Sequence, residues 1–349
     1  MSIIKSILLI SLFASLAFGQ EFCPNDLTQE EKQIVISNID SGLYNSGFDI
    51  SNRGVTNKIR VKWHVVGNTH GNIAIDSATL SYYIDELNSA FSPMNIEFVA
   101  DPVTHWIIDD DLYESVDSTY NLRQMSTLEG AMNVYWAPML GDGGLCGQSS
   151  FSFQFDQGIV MQTSCSGETD IHSVFIHEVG HYFDLFHTHE FECPEALNCE
   201  IEGDYVCDTP PSPRLWFDAC VNPNTCQLWD NVSSECNTTG VIWCNESQYD
   251  VGINTINYMS YAPISCMSMF TTGQVLRAVS TYINLRRDHH DPILPQCKGD
   301  LNGDGTINSG DMGLLLSGWG ELEMDLNGDA KTDGADLALI LSNWGSCWD

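Results

Sequence analysis

Ile59, Val61, Trp63 and Val65 interleave with Arg60, Lys62 and His64, the period of two that marks a strand with one buried face. The period then lengthens. Leu80, Ile84, Leu87 and Phe91 fall at helical spacing, Asp76 or Ser77 is placed to cap the start, and Pro93 stops the run. Residues 96–100, 133–137 and 158–162 are short and rich in β-branched or aromatic side chains, which predicts three more strands. A second helix is expected from Val174 onward. Strand, helix, three strands and helix make an α/β order. Between about 190 and 250 the periodicity fades into Cys, Pro, Asn and Asp, the texture of an irregular, disulfide-stapled stretch. After Pro292 and Pro295 the composition changes again, and a segment beginning at Asp300 recurs at Asp325 with a period of 25.

Composition narrows the setting. Hydrophobic residues are 43% of the 349, enough to bury a core, while 47 Asp and Glu against 13 Lys and Arg leave a net charge of −34. Nucleic acid is therefore not an expected partner, because phosphate binding needs clustered cations. Lys5 precedes an apolar run over 6–18 with small residues, Ala17 and Gly19, at the −3 and −1 positions of a cleavage site. This reads as a secretory signal peptide, 1–19, since thirteen residues are too few to span a bilayer and no later run is long enough. A secreted, extracellular protein without a membrane span is expected. Thirteen cysteines fit an oxidising compartment. Ten lie between Cys146 and Cys266, enough for five bridges, and Cys297 with Cys347 would make a sixth. Cys23 is left over. Asn231, Asn237 and Asn245 stand in glycosylation sequons.

Residues 177–187 read HEVGHYFDLFH, with histidines at spacings of four and six. On a helix, His177 and His181 lie one turn apart on the same face, so both imidazoles reach one Zn²⁺ at about 2.0–2.1 Å. A turn back after His181 would let His187 complete a three-nitrogen set with a fourth position open for water. Glu178 then takes the proton of that water and returns it to the leaving amine. Gly180 permits close packing against the helix. Peptide-bond hydrolysis with one catalytic zinc is the chemistry this arrangement predicts.

These residues resemble the metzincins, and more narrowly the pappalysin-type (cytophagalysin-like) metalloproteases. Residues 203–210 (GDYVCDTP), 257–261 (NYMSY), Cys266, 270–274 (FTTGQ) and Arg277 carry the same resemblance, which covers about 58–288. It implies a metzincin-like catalytic domain with a twisted mixed sheet, an active-site helix and an irregular, disulfide-rich C-terminal half. It also implies Met259 as a hydrophobic floor under the zinc and Tyr261 as hydrogen-bond donor to the oxyanion. His189 is a poorer third ligand than His187 on that family's spacing. Asp184 stands where the family carries glycine at the helix exit. Asp tolerates a left-handed backbone better than most side chains, so strain without loss of function is expected there.

The C-terminal repeat has its own chemistry. Asp300, Asn302, Asp304, Thr306, Asn308 and Asp311 occupy positions 1, 3, 5, 7, 9 and 12 of a calcium loop, and Asp325, Asn327, Asp329, Lys331, Asp333 and Asp336 repeat them. Position 7 offers its backbone carbonyl. Gly305 serves the sharp turn, whereas Ala330 in the second loop predicts weaker binding. Each loop leads into an apolar helix ending in Trp-Gly, and the pair resembles a type I dockerin domain, a small all-α calcium-binding module. That resemblance implies up to two Ca²⁺ and docking onto a cohesin-like scaffold protein through positions 10 and 11, here Ser309-Gly310 and Gly334-Ala335.

The organisation expected is a signal peptide over 1–19, an N-terminal segment over 20–57, a zinc metalloprotease domain over 58–288, a linker over 289–297 and the calcium module over 298–349. The N-terminal segment is either a short pro-segment whose Cys23 thiolate fills the open zinc position, or a segment whose odd thiol pairs elsewhere. The function expected is a secreted zinc endopeptidase acting on protein or peptide substrates. Two alternatives are an accessory component of a polysaccharide-degrading assembly and a catalytically silent adhesion protein.

Overall fold

The computed structural model describes residues 28–44, 57–128, 130–165, 167–190, 199, 203–210, 212, 215, 221–228, 253–286, 299, 301, 306–319 and 332–346. The signal peptide, Cys23, the three sequons, the linker over 289–297, Cys297 and Cys347 lie outside the described residues.

Helix α1 (Gln29–Asp40) is capped by Thr28 and precedes strand β1 (Asn57–Gly67). Helix α2 (Ser77–Phe91) follows, with Asp76 accepting from the Thr79 amide at its N-terminus. Strands β2 (Ile96–Ala100) and β3 (His105–Ile108) and two short helices, α3 (Asp110–Glu114) and α4 (Thr119–Met125), come next. Then β4 (Met132–Ala137), β5 (Gly147–Ser149) and β6 (Ile159–Gln162) lead into helix α5 (His172–Tyr182). The six strands form one sheet in the order β2-β1-β4-β6-β5, and β3 continues the β2 edge along β1. All pairs are parallel except β5 with β6, so an antiparallel strand forms the edge beside the zinc helix.

Helices α2 and α5 cover one face of this sheet. Ile59, Val61, Trp63 and Val65 of β1 meet Leu80, Tyr83, Leu87 and Phe91 of α2 and Val174, Phe175 and Val179 of α5 in one core. Tyr83 takes a core place, and Ile84 is only half-buried. The alternation in β1 predicted one solvated face, and the structure corrects that. Arg60 and His64 are buried as well, because Val66, Tyr135, Val160, Ile107 and Leu122 form a second core on the opposite face. The polar residues there are paired: Arg60 and Lys62 both bond the Asp101 carboxylate, at 2.9 and 3.0 Å, and His64 stacks on Tyr135 and contacts Asn133. A parallel sheet covered on both faces accounts for this.

Beyond α5 the chain carries the short hairpin β7 (Val221–Asn222) with β8 (Gln227–Leu228), then α6 (Thr272–Thr281), which continues into a π-turn over Tyr282–Arg286. Three disulfides join described residues: Cys146–Cys165, Cys199–Cys207 and Cys226–Cys266. In the C-terminal repeat, β9 (Thr306–Ile307) pairs with β10 (Gly345–Ser346), and α7 (Ser309–Ser317) and α8 (Gly334–Ser342) share a small core of Ile307, Leu315 and Ile340.

Candidate active site

Helix α5 is buried from Ser173 to Tyr182 and is pinned by the Ser173 hydroxyl, which donates to the Ile264 carbonyl at 2.9 Å. It ends in a left-handed turn of the kind that glycine usually makes. Asp184 has φ 57°, its amide donates to the His181 carbonyl, and the Leu185 amide donates to the Gly180 carbonyl. The expected left-handed backbone at Asp184 is therefore present. Its carboxylate is fully buried and accepts from the Ser152 amide (2.7 Å), the Ser152 hydroxyl (2.5 Å) and the Tyr44 hydroxyl (3.1 Å).

The turn delivers the third histidine. His181 Nε2 lies 3.1 Å from His177 Nε2 and 2.9 Å from His187 Nε2. Among the described residues this trio is the group of His, Cys, Asp or Glu side chains placed to hold a metal ion. The opposite ring nitrogens fix the tautomers. His177 Nδ1 donates to the Tyr258 carbonyl at 2.6 Å, and His181 Nδ1 to the Leu185 carbonyl at 2.8 Å. Burial, reinforced by His187, pushes His177 down to about 3 and His181 well below the ordinary value, so both rings are neutral. Unprotonated Nε2 lone pairs then converge at short range, an arrangement that needs a cation between them. The separations are close to the roughly 3.3 Å between two nitrogens on one tetrahedral zinc, and the donor set fits Zn²⁺.

Two glycines make room around this centre. A Cβ on Gly180 would lie 2.5 Å from Met259 Sδ, so the methionine packs directly on the zinc helix between the two ligand turns. A Cβ on Gly147, the first residue of edge strand β5, would lie 2.8 Å from Glu178 Cγ and 3.0 Å from Oε1. Met259 is fully buried, and its carbonyl accepts from the Thr188 amide, one residue past His187. The turn around it is held by Asn257, whose side chain accepts from the Met259 amide and exchanges hydrogen bonds with Gln274 at the start of α6. Tyr261 is buried with its ring centroid 4.8 Å from that of His187. His189 stacks on His187 at 4.7 Å but stands outside the trio.

The structure thus gathers His177, Glu178, His181, His187, Met259 and Tyr261, all named from the sequence. It adds Gly147, Ser152 and Tyr44, which no sequence signal marked. Of the calcium candidates, Thr306, Asn308, Asp311, Asp333 and Asp336 are described. Asp300, Asn302, Asp304, Asp325, Asn327, Asp329 and Lys331 lie outside the described residues. Asp311 and Asp336 are fully buried and close matching capping boxes with Asn308 and Asp333.

Residues 126–282 match the family Peptidase_M43, described as pregnancy-associated plasma protein-A. The chain is 26% identical over 304 residues to an extracellular metalloprotease of Colletotrichum graminicola, covering 82% of this chain and 99% of that protein. An extracellular metalloprotease of Verticillium alfalfae is 27% identical over 225 residues, 60% of this chain and 70% of that one. Among solved structures, mature mirolysin of Tannerella forsythia in complex with a cleaved peptide superposes with a TM-score of 0.51 at 21% identity, over 68% of this chain and 97% of that chain. That likeness concerns the fold. With the three-histidine centre, the Peptidase_M43 match and the metalloprotease relatives mark the chain as a zinc-dependent metalloendopeptidase, similar over residues 126–282 to the Peptidase_M43 family.

Proposed function

We propose that the protein is a secreted endopeptidase in which Glu178 is the general base and acid, Tyr261 the oxyanion donor and Met259 the floor of the zinc site. His177, His181 and His187 would hold the zinc, which when bound would supply Lewis acidity toward the scissile carbonyl and make water a better nucleophile near neutral pH. Glu178 follows the first ligand on α5 and is held against Gly147, so its carboxylate meets the edge of β5. Strand β5 is antiparallel and, among the described residues, has one side free of sheet partners, so an extended peptide added there would run past Glu178 with its backbone hydrogen-bonded. Glu178 accepts the proton of the attacking water and passes it to the leaving nitrogen. Tyr261 donates to the carbonyl oxygen as negative charge develops on it, a contribution of about 3 kcal/mol for one such fixed donor.

Secretion draws support from relatives named extracellular and from the leader-like start of the sequence. Among the described residues no helix is long and apolar enough to cross a membrane. The proposal extends to the domain boundaries, with 58–288 as the catalytic unit and 298–349 as a dockerin-like module holding up to two Ca²⁺. Support for docking onto a cohesin-like scaffold comes from the repeat: Leu316 and Trp319 on α7 and its exit correspond to Leu341 and Trp344 twenty-five residues on, and all four are 48–55% exposed. Two equivalent apolar faces left in solvent are what a docking module presents.

The observation that carries the peptidase reading is the convergence of the His177, His181 and His187 imidazoles beside Glu178. Metal analysis of the purified chain should give one zinc, and cleavage of a quenched peptide should vanish with a chelator and return on adding zinc. Cleavage that survives complete removal of zinc would refute the reading.

A further inference from the structure

Asp184, in place of the glycine expected at the helix exit, has a set of partners that gives it a use. The residue sits three positions after His181 and three before His187, within the turn whose Leu185 carbonyl orients the His181 ring. A glycine would adopt this backbone with no steric cost, so conformation alone does not call for an aspartate. The carboxylate binds three donors from two distant parts of the chain: the amide and hydroxyl of Ser152 from the β5–β6 connection, and the Tyr44 hydroxyl from the turn after α1. Burial holds the Tyr44 phenol protonated, well above its ordinary value, so it donates.

The packing around this contact reaches the ligands themselves. Tyr44, Ile36 and Ile39 pack on a cluster of Val35, Phe151, Phe186 and Tyr205. The Phe151 and His181 rings meet in a T-shaped contact with centroids 5.4 Å apart, and Phe186 directly precedes His187. The buried Arg277 guanidinium lies over the Tyr44 ring at 4.4 Å and donates to the Tyr205 carbonyl. Asn284 donates to the Leu43 carbonyl at 2.7 Å, and Gln154 donates to Glu31 at 2.7 Å. Residues 28–44 are thus fastened at several points to the shell behind two zinc ligands.

We propose that Tyr44 and Asp184 are a positioning pair through which the N-terminal helix holds the turn between His181 and His187, and so slows release of zinc. The inference rests on the reading of the three histidines as the zinc site. It gives the N-terminal segment a part in the metal centre other than occupying the open zinc position. Neither residue touches metal or substrate; each acts through the Leu185 carbonyl and the direction in which His187 leaves the turn.

The test is the rate at which the zinc-loaded full chain gives up its metal to a colorimetric chelator, read alongside the melting temperature of the metal-free protein. Tyr44→Phe removes one hydroxyl, and Asp184→Gly removes the carboxylate while relaxing the backbone. Both should release zinc about tenfold faster than the parent, the scale expected when an outer partner of a metal ligand is lost. Asn284→Ala, which cuts the neighbouring Leu43 contact but not the Asp184 one, should lower the melting temperature and leave zinc release unchanged. Parental release rates in both Tyr44→Phe and Asp184→Gly would overturn the proposal, as would equal acceleration in Asn284→Ala, which would assign the effect to general loosening of the helix. A parent chain that binds no zinc at all would instead refute the metal site, before any variant is compared.

Discussion

Glu178 lies against the backbone of Gly147, so close that a single methyl group at position 147 would sit 2.8 Å from its Cγ. The carboxylate proposed to move the proton and the edge strand proposed to hold the peptide therefore share one van der Waals boundary. Gly147→Ala should push Glu178 out of line while leaving the three histidines in place. A displacement on the scale of an ångström costs about a hundredfold in rate, so kcat/KM is expected to fall by that order with zinc content unchanged. Unchanged peptide cleavage in this variant would separate Glu178 from β5.

Gly180 and Met259 should behave as a coupled pair. Gly180→Ala forces a methyl toward Met259 Sδ at 2.5 Å, an overpacking cost of about 1–3 kcal/mol set against the roughly 1 kcal/mol that alanine gains in a helix. A fall in melting temperature is expected. In the Met259→Ala background the clash has no partner and only the helix gain remains, so the same substitution should then be neutral or stabilising. Equal effects in both backgrounds would contradict direct packing.

Acid stability should carry the signature of His64. Burial, with smaller contributions from His105 and Lys62 and against the hydrogen bond to Asn133, pushes its imidazole from 6.5 down to about 4. As pH falls, the unfolded chain takes up the proton first. The stability contributed by neutral His64 is whole above about 6.5 and is lost as pH approaches 4, up to about 3 kcal/mol. Melting curves of the metal-free protein between pH 7 and 4 should fall less steeply for His64→Gln than for the parent. Parallel curves would mean that this histidine is not held neutral.

Calcium should stabilise the C-terminal module by binding the folded state, and the increment should grow with the logarithm of its concentration above the dissociation constant. Asp311→Ala and Asp336→Ala each remove a buried cap and lower the starting stability, so the informative quantity is the shift on adding calcium. Each variant should lose part of the parental shift, Asp311→Ala the larger part because its loop carries Gly305 where the other has Ala330. An undiminished shift in both variants would remove calcium from the repeat.

Much of this was legible in the residues because chemistry and periodicity coincide. The helical spacing of Leu80, Leu87 and Phe91 marked α2, with the structure choosing Asp76 over Ser77 as its cap, and the histidine spacing marked the trio. The burial of Arg60 and His64 was not legible, since alternation cannot tell a solvated face from one whose polar groups find partners such as Asp101 and Asn133. Strands β3 and β5 are too short to show a period. Gly147 is one of four glycines in residues 141–147, and only the fold decides which of them meets Glu178. Tyr44 and Asp184 are 140 residues apart, a separation that no local pattern bridges.

The most direct test of the peptidase account is Glu178→Ala, assayed for zinc content and for cleavage of a quenched peptide in the same preparation. The account predicts one zinc per chain, as in the parent, with kcat/KM reduced by about a thousandfold or more, within the range general acid–base catalysis supplies. Full zinc occupancy with cleavage at the parental rate would contradict it.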